Sequence, residues 1–204
     1  SMYNIEITLI SLYAFIQTYI EKNDYRTIST INSILISGTA NYLLLTDKNF
    51  TTIYNFEESQ VSTTYLYVAK FMTAYIPFDI YYSLFPLKKD LLLHACLMLV
   101  GIITVRQYQL QHLINLAMIM QTSSTFLTFI NESVICKYLF ALTFFIYRIC
   151  IFPCLTVGYG ITKQDIIFTY PPTAQTVVFT LVSTVNILNL YWFRKIIRKV
   201  YRKS

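Results

Sequence analysis

Four side chains in this sequence have the types and placement for chemistry in an apolar setting. Asp79 stands in AYIPFDIYYSLF and His94 in DLLLHACLML, while Gln121 stands in MQTSSTFLTF and Arg148 in ALTFFIYRI. A carboxylate that orients an imidazole lets the ring act as a general base or a transient acyl acceptor toward an amine or hydroxyl. Asp79 and His94 are therefore the catalytic candidates, with Gln121 and Arg148 as a polar pair able to hold a ligand. Lys70 and His112 are further ionisable side chains set within apolar stretches. Other chemistries lack their residues: the chain has no GxSxG elbow, no phosphate-binding glycine loop and no HExxH. Cys96, Cys136, Cys150 and Cys154 form neither a CxxC pair nor a zinc-type spacing with His, so no metal site is expected. They read as reduced core residues.

The elements that must position these groups follow from composition. Of 204 residues 55% are hydrophobic and 13% charged, with Tyr 18, Phe 15, Gly 4 and Pro 5, whereas soluble domains carry about 25% charged residues. Mean hydropathy is +0.51. Disorder, collagen and coiled coil are excluded, and a membrane protein is the better class. A spanning helix needs about 20 largely apolar residues, and seven blocks qualify, approximately 4–20, 28–45, 65–85, 90–105, 109–130, 137–158 and 173–193. They do not alternate as barrel strands would. The expected fold is all-α: a polytopic membrane bundle of about seven transmembrane helices around a central cavity. The first block lacks a basic leader and a clear cleavage site, so it reads as a retained helix over residues 1–25. Residues 26–195 then form the main transmembrane domain and 196–204 a basic tail.

Charge sets the orientation. Arg194, Lys195, Arg198, Lys199, Arg202 and Lys203 account for the whole net charge of +6, leaving ten basic and ten acidic residues in the body. Such a tail is a topology signal and a headgroup contact rather than a nucleic-acid site. With seven alternating helices and a cytoplasmic C-terminus, eleven basic residues fall inside and three outside, as the positive-inside rule requires. Asp79 and His94 then lie about 9 and 6 Å from the cytoplasmic side, and Gln121 and Arg148 about 14 to 16 Å deep, at 1.5 Å of rise per residue. His112 and Lys70 fall near the outer ends.

Each ionisable group at mid-bilayer costs about 2.5 to 3.5 kcal/mol, so these residues face the interior and find partners. Tyr108, His112, Asn115 and Thr122 share one helical face, as do Asn186 and Asn189. Pro77 and Pro153 each remove a backbone donor beside Asp79 and Arg148. A free carbonyl at that depth needs protein or a wet cavity to receive it. The same polar groups can instead serve only as hydrogen-bond partners that hold helices together.

Several of these segments, in order, resemble the TLC-domain family, the multispanning proteins that include ceramide synthases and the translocon-associated TRAM proteins. YRTISTINSILIS is similar to the family's opening helix, with Asn32 where many members carry His. AYIPFDIYYSLF, DLLLHACLML, MQTSSTFLTF, ALTFFIYRI and NLYWFRKIIRKV follow in the family's order, over about 180 residues. His94 is followed by Ala95 rather than a second His, Gln121 stands where an acidic residue is common, and Thr125 replaces a Pro.

The resemblance implies an endoplasmic-reticulum or other endomembrane protein whose partners are membrane lipids. Its cavity would be lined by Gln121, Arg148, His112, Asn115 and Asn32, and no resident cofactor is implied. The leading expectation is that it binds, senses or remodels lipids there. The alternative is an acyltransferase that uses acyl-CoA as co-substrate, with His94 as base or acyl acceptor and Asp79 orienting it. A structural or partner-binding membrane subunit is the third reading, and a homodimer is compatible with each of them.

Overall fold

The computed structural model describes residues 11–12, 25–46, 63–84, 87, 89–108, 114–129, 133–162 and 164–201. Among these residues the chain is helical without strands. The elements are α1 (Tyr25–Thr46), α2 (Thr63–Leu84), α3 (Lys89–Gln107), α4 (Ile114–Ser124), a 3₁₀ turn (Leu127–Phe129), α5 (Val134–Phe144), a π-helical segment (Phe145–Ile151), α6 (Phe152–Thr162), the short α7 (Gln164–Ile167) and α8 (Pro172–Tyr201). The segment α5–π–α6 is one continuous rod. Among the described residues, three helices are long and apolar enough to cross a membrane: Lys89–Gln107, Val134–Ile161 and Pro172–Val200. The first expected block lies outside the described residues apart from Ser11 and Leu12, which are helical.

The chain divides into two compact units, one containing Ser59–Ile114 with α1 up to Asn32, the other Asn115–Ser204 with α1 from Ser33 onward. In the first, α2 packs against α3. The buried face of α2 runs through Met72, Ile76, Asp79 and Ser83 at spacings of four, three and four, the repeat of a single helical face. Ala95, Ile102 and Thr104 are the buried residues of α3. In the second unit, buried positions along the rod recur every four residues, at Phe140, Phe144, Arg148 and Phe152. A helix of 3.6 residues per turn drifts off a strict four-residue repeat. The wider π turn takes up that drift.

Pro153 accounts for the π segment. It has no N–H to offer the carbonyl one turn back, and its ring crowds that carbonyl. The ladder is carried across instead by the Phe152 N–H, which donates to the carbonyl of Tyr147, five residues earlier. Downstream, Pro172 occupies the first position of α8, where a missing donor costs nothing.

Polarity is inverted relative to a soluble domain. Asn32, Ser33, Ser37, Asp79, Ser83, Thr104, Ser123, Arg148 and Asn189 are buried, while Val134, Ile135, Ile161, Phe179, Ile187 and Leu190 are exposed. Apolar surface on this scale marks contact with lipid or another apolar partner. Helical hydroxyls are satisfied locally: Ser83 donates to the carbonyl of Asp79 at 2.6 Å, Thr104 to Val100 at 2.8 Å and Thr156 to Phe152 at 2.9 Å. This back-bonding satisfies a hydroxyl without water. The cysteines correct one expectation: all four are free, Cys96, Cys150 and Cys154 are exposed and Cys136 is half-buried. An apolar stretch in a membrane helix can face lipid tails as readily as protein, so residence in such a stretch does not imply the core.

Candidate functional site

The most constrained polar cluster centres on Arg148, near the middle of the Val134–Ile161 span and only 6% exposed. Its Nε donates to Ser123 Oγ at 2.7 Å and to the carbonyl of Met120 at 3.2 Å, and Nη2 donates to Ser124 Oγ at 2.9 Å. The Ser123 hydroxyl itself donates to the Met120 carbonyl at 2.9 Å. The guanidinium carbon lies 5.1 Å from the centroid of the Phe144 ring, one turn back on the buried face of the rod, within cation–π range. These partners occupy the last turn or so of α4, the negative end of its dipole, where a cation is favoured. All of them are neutral groups.

Around this centre the helices are linked by side-chain amides and hydroxyls. Tyr147, the neighbour of Arg148 on the π segment, donates its hydroxyl to Asn41 Oδ1 at 3.0 Å. Asn41 Nδ2 donates to the carbonyl of Ser37 at 2.8 Å and to Thr122 Oγ1 at 3.1 Å. Because a carbonyl only accepts, that bond fixes which way the amide points. Ser37 Oγ and Thr125 Oγ1 share a hydrogen bond of 3.1 Å. On α8, Asn189 is 0% exposed, and its Nδ2 donates to the Met120 thioether at 3.7 Å, a weak acceptor. Asn189 Oδ1 and Asn186 Oδ1 are buried without a hydrogen-bond partner among the described residues.

The expected site residues are distributed as follows. Asp79 is 7% exposed on α2 and His94 is half-buried on α3, both in the first unit. Each has polar or ring partners. Asn32 is buried on α1 and also partnered. Gln121 is half-buried on α4, the helix that receives Arg148. The hydrogen bonds from the guanidinium go to its neighbours on that helix, Met120, Ser123 and Ser124. His112 lies outside the described residues. Asn115 falls within α4, with its side chain outside them.

Asn41, Tyr147, Ser123 and Ser124 were not singled out from sequence. A signal for Asn41 exists in the four-residue series Ser29, Ser33, Ser37 and Asn41, which places one polar row along α1. For the serines it is the unbroken hydroxyl run Thr122, Ser123, Ser124 and Thr125. Among the described residues no group of His, Cys, Asp and Glu could hold a metal ion.

A family model for the TLC domain matches residues 22–198. The chain belongs to the TLC-domain family. The matched stretch takes in α1 through most of α8, and so both Asp79 with His94 and the whole Arg148 cluster lie in the TLC domain. Neither a curated protein nor a solved structure matches the chain significantly. Membership of this TLC family, the inverted polarity and three membrane-length helices identify an integral membrane protein.

Proposed function

We propose that this TLC-domain protein binds lipids within the membrane and senses, moves or remodels them, with the Arg148 cluster as the polar seat. The observation that supports this most directly is a guanidinium at mid-span, held among the described residues by hydroxyls, a carbonyl and a ring. A charge at that depth is rare and as a rule functional. The charge asymmetry favours the basic end of α8 toward the cytoplasm, and membership of the TLC family suggests the endoplasmic reticulum or another endomembrane as the setting. Purification in nanodiscs followed by mass spectrometry of retained lipid tests the reading. Defined stoichiometric lipid, kept in the His94→Ala variant, is expected; a lipid-free protein refutes it.

A second reading is acyl transfer from acyl-CoA, with His94 as base or acyl acceptor and Asp79 orienting the ring. It is favoured by the burial of Asp79 on the helix that packs against the one carrying His94. Labelled acyl-CoA with an amine or hydroxyl lipid tests it: amide or ester formation abolished by His94→Ala supports it, and product formation unaffected by that change excludes this role for His94.

A further inference from the structure

The geometry points to Arg148 as the receptor for the oxyanion of a lipid, a carboxylate or a phosphate. This deepens the lipid-binding reading and rests on it.

Three observations converge. First, the guanidinium keeps its proton at physiological pH, and its partners, Met120 carbonyl, Ser123, Ser124 and the Phe144 ring, are all uncharged. The carboxylates of this unit, on Asp47, Glu57, Glu58, Glu132 and Asp165, have side chains outside the described residues. Among the described residues the charge is solvated by dipoles but not neutralised. In a low-dielectric span an opposite charge is the strongest ligand such a group can take.

Second, the hydroxyl that meets Nη2 is bifunctional. Ser124 Oγ accepts from Arg148 at 2.9 Å, which leaves its own proton to donate, and no acceptor for it is found among the described residues. An oxyanion placed beside Nη2 would take that proton as a second hydrogen bond. Ser123 is not equivalent, because its proton is already committed to the Met120 carbonyl at 2.9 Å.

Third, a wholly buried amide stands close by. Asn189 and Arg148 both contact Met120, one at the thioether and the other at the carbonyl. The Asn189 amide spends its N–H on sulfur at 3.7 Å and leaves Oδ1 without a partner. Buried amide oxygens are rarely left so. A headgroup hydroxyl or a water carried in with the anion supplies the missing donor, and the weakly held N–H is free to exchange sulfur for oxygen.

The experiment uses the full chain in phosphatidylcholine nanodiscs with three probes of matched chain length: oleate, dioleoyl phosphatidic acid and dioleoylglycerol. Retention is read by native mass spectrometry. One anionic probe is expected to be retained about tenfold better than dioleoylglycerol, and Arg148→Gln to remove about tenfold of that preference without changing dioleoylglycerol binding. A preference for oleate identifies a carboxylate; a preference for phosphatidic acid identifies a phosphate. Equal retention of all three probes, or an unchanged anionic preference in Arg148→Gln, overturns the oxyanion seat while leaving lipid binding in place. Retention of none overturns both. Should Arg148→Gln not fold, Ser124→Ala decides, because it keeps both Nε bonds. Reduced anionic retention supports the proposal and unchanged retention refutes it.

Discussion

The Tyr147 phenol donates to Asn41 Oδ1 at 3.0 Å, joining the π segment to α1 across 106 residues of sequence. It completes an amide whose two other bonds go to Ser37 and Thr122. Tyr147→Phe leaves a half-buried acceptor unpaired and is expected to destabilise the protein by about 1 to 3 kcal/mol. Asn41→Leu removes the other partner, so the double variant is expected to lose less than the sum of the singles. Thermal unfolding in detergent measures all three, and strict additivity would show that the bond contributes no coupling.

Ser123 and Ser124 sit side by side yet differ in what they hold. Ser123 accepts from Nε and donates to the Met120 carbonyl, whereas Ser124 only accepts from Nη2. Ser123→Ala is therefore expected to cost about 1.5 to 3 kcal/mol, the range for a hydrogen bond to a charged group, and Ser124→Ala less. The same unfolding measurement ranks them; the reverse order contradicts the assignment.

How much of this could be read beforehand depends on the kind of signal. Arg148 was legible because a charge inside LTFFIYRICIF has no cheap alternative to burial, and Pro153 announced a break in the backbone ladder. Its partners were not legible. Depth estimates brought Arg148 to the right helix, α4, but choosing Ser123 and Ser124 over Gln121 requires the azimuth of one helix against another, which rise per residue does not contain. The helix-borne polar row Ser29, Ser33, Ser37 and Asn41 was visible as periodicity but weak, because serine and asparagine are common on either face. The cysteines misled for a physical reason: hydropathy cannot separate a side that meets protein from one that meets acyl chains.

The exposed cysteines give a direct check on that outer surface. Cys96, Cys150 and Cys154 lie on apolar helices with their side chains outward. A charged, water-soluble maleimide is expected to label them only after detergent extraction, because a charged reagent does not partition into the hydrocarbon that covers an outward-facing thiol. Rapid labelling of Cys150 by the charged reagent in membranes would place that face in water.

At the far end of α8 the alternation of sides is sharp. Arg194, Lys195, Arg198 and Lys199 are exposed, whereas Phe193, Ile196 and Ile197 are half-buried. Phe193 packs on Phe144 and Phe145 at ring-centroid distances of 6.3 and 5.4 Å, and Lys195 Nζ lies 4.5 Å over the Tyr191 ring. Thirty residues rise about 45 Å, roughly 15 Å more than the hydrocarbon core. That length is enough to carry the basic stripe beyond the apolar layer. Changing these four residues to Gln is expected to give mixed orientations, read with a glycosylation acceptor added after Ser204. A wild-type tail that is glycosylated would reverse the proposed topology.

The π turn also tells where this rod tolerates shortening. Its i to i+5 bonding stores one residue beyond what an α turn of the same rise requires. Deleting a single residue within Phe145–Ile151 would therefore remove that surplus and leave both flanking halves in phase, with Pro153 still leaving one carbonyl without its ladder partner. The same deletion in α5 or α6 would swing everything beyond it by about 100°, one residue's share of a 3.6-residue turn.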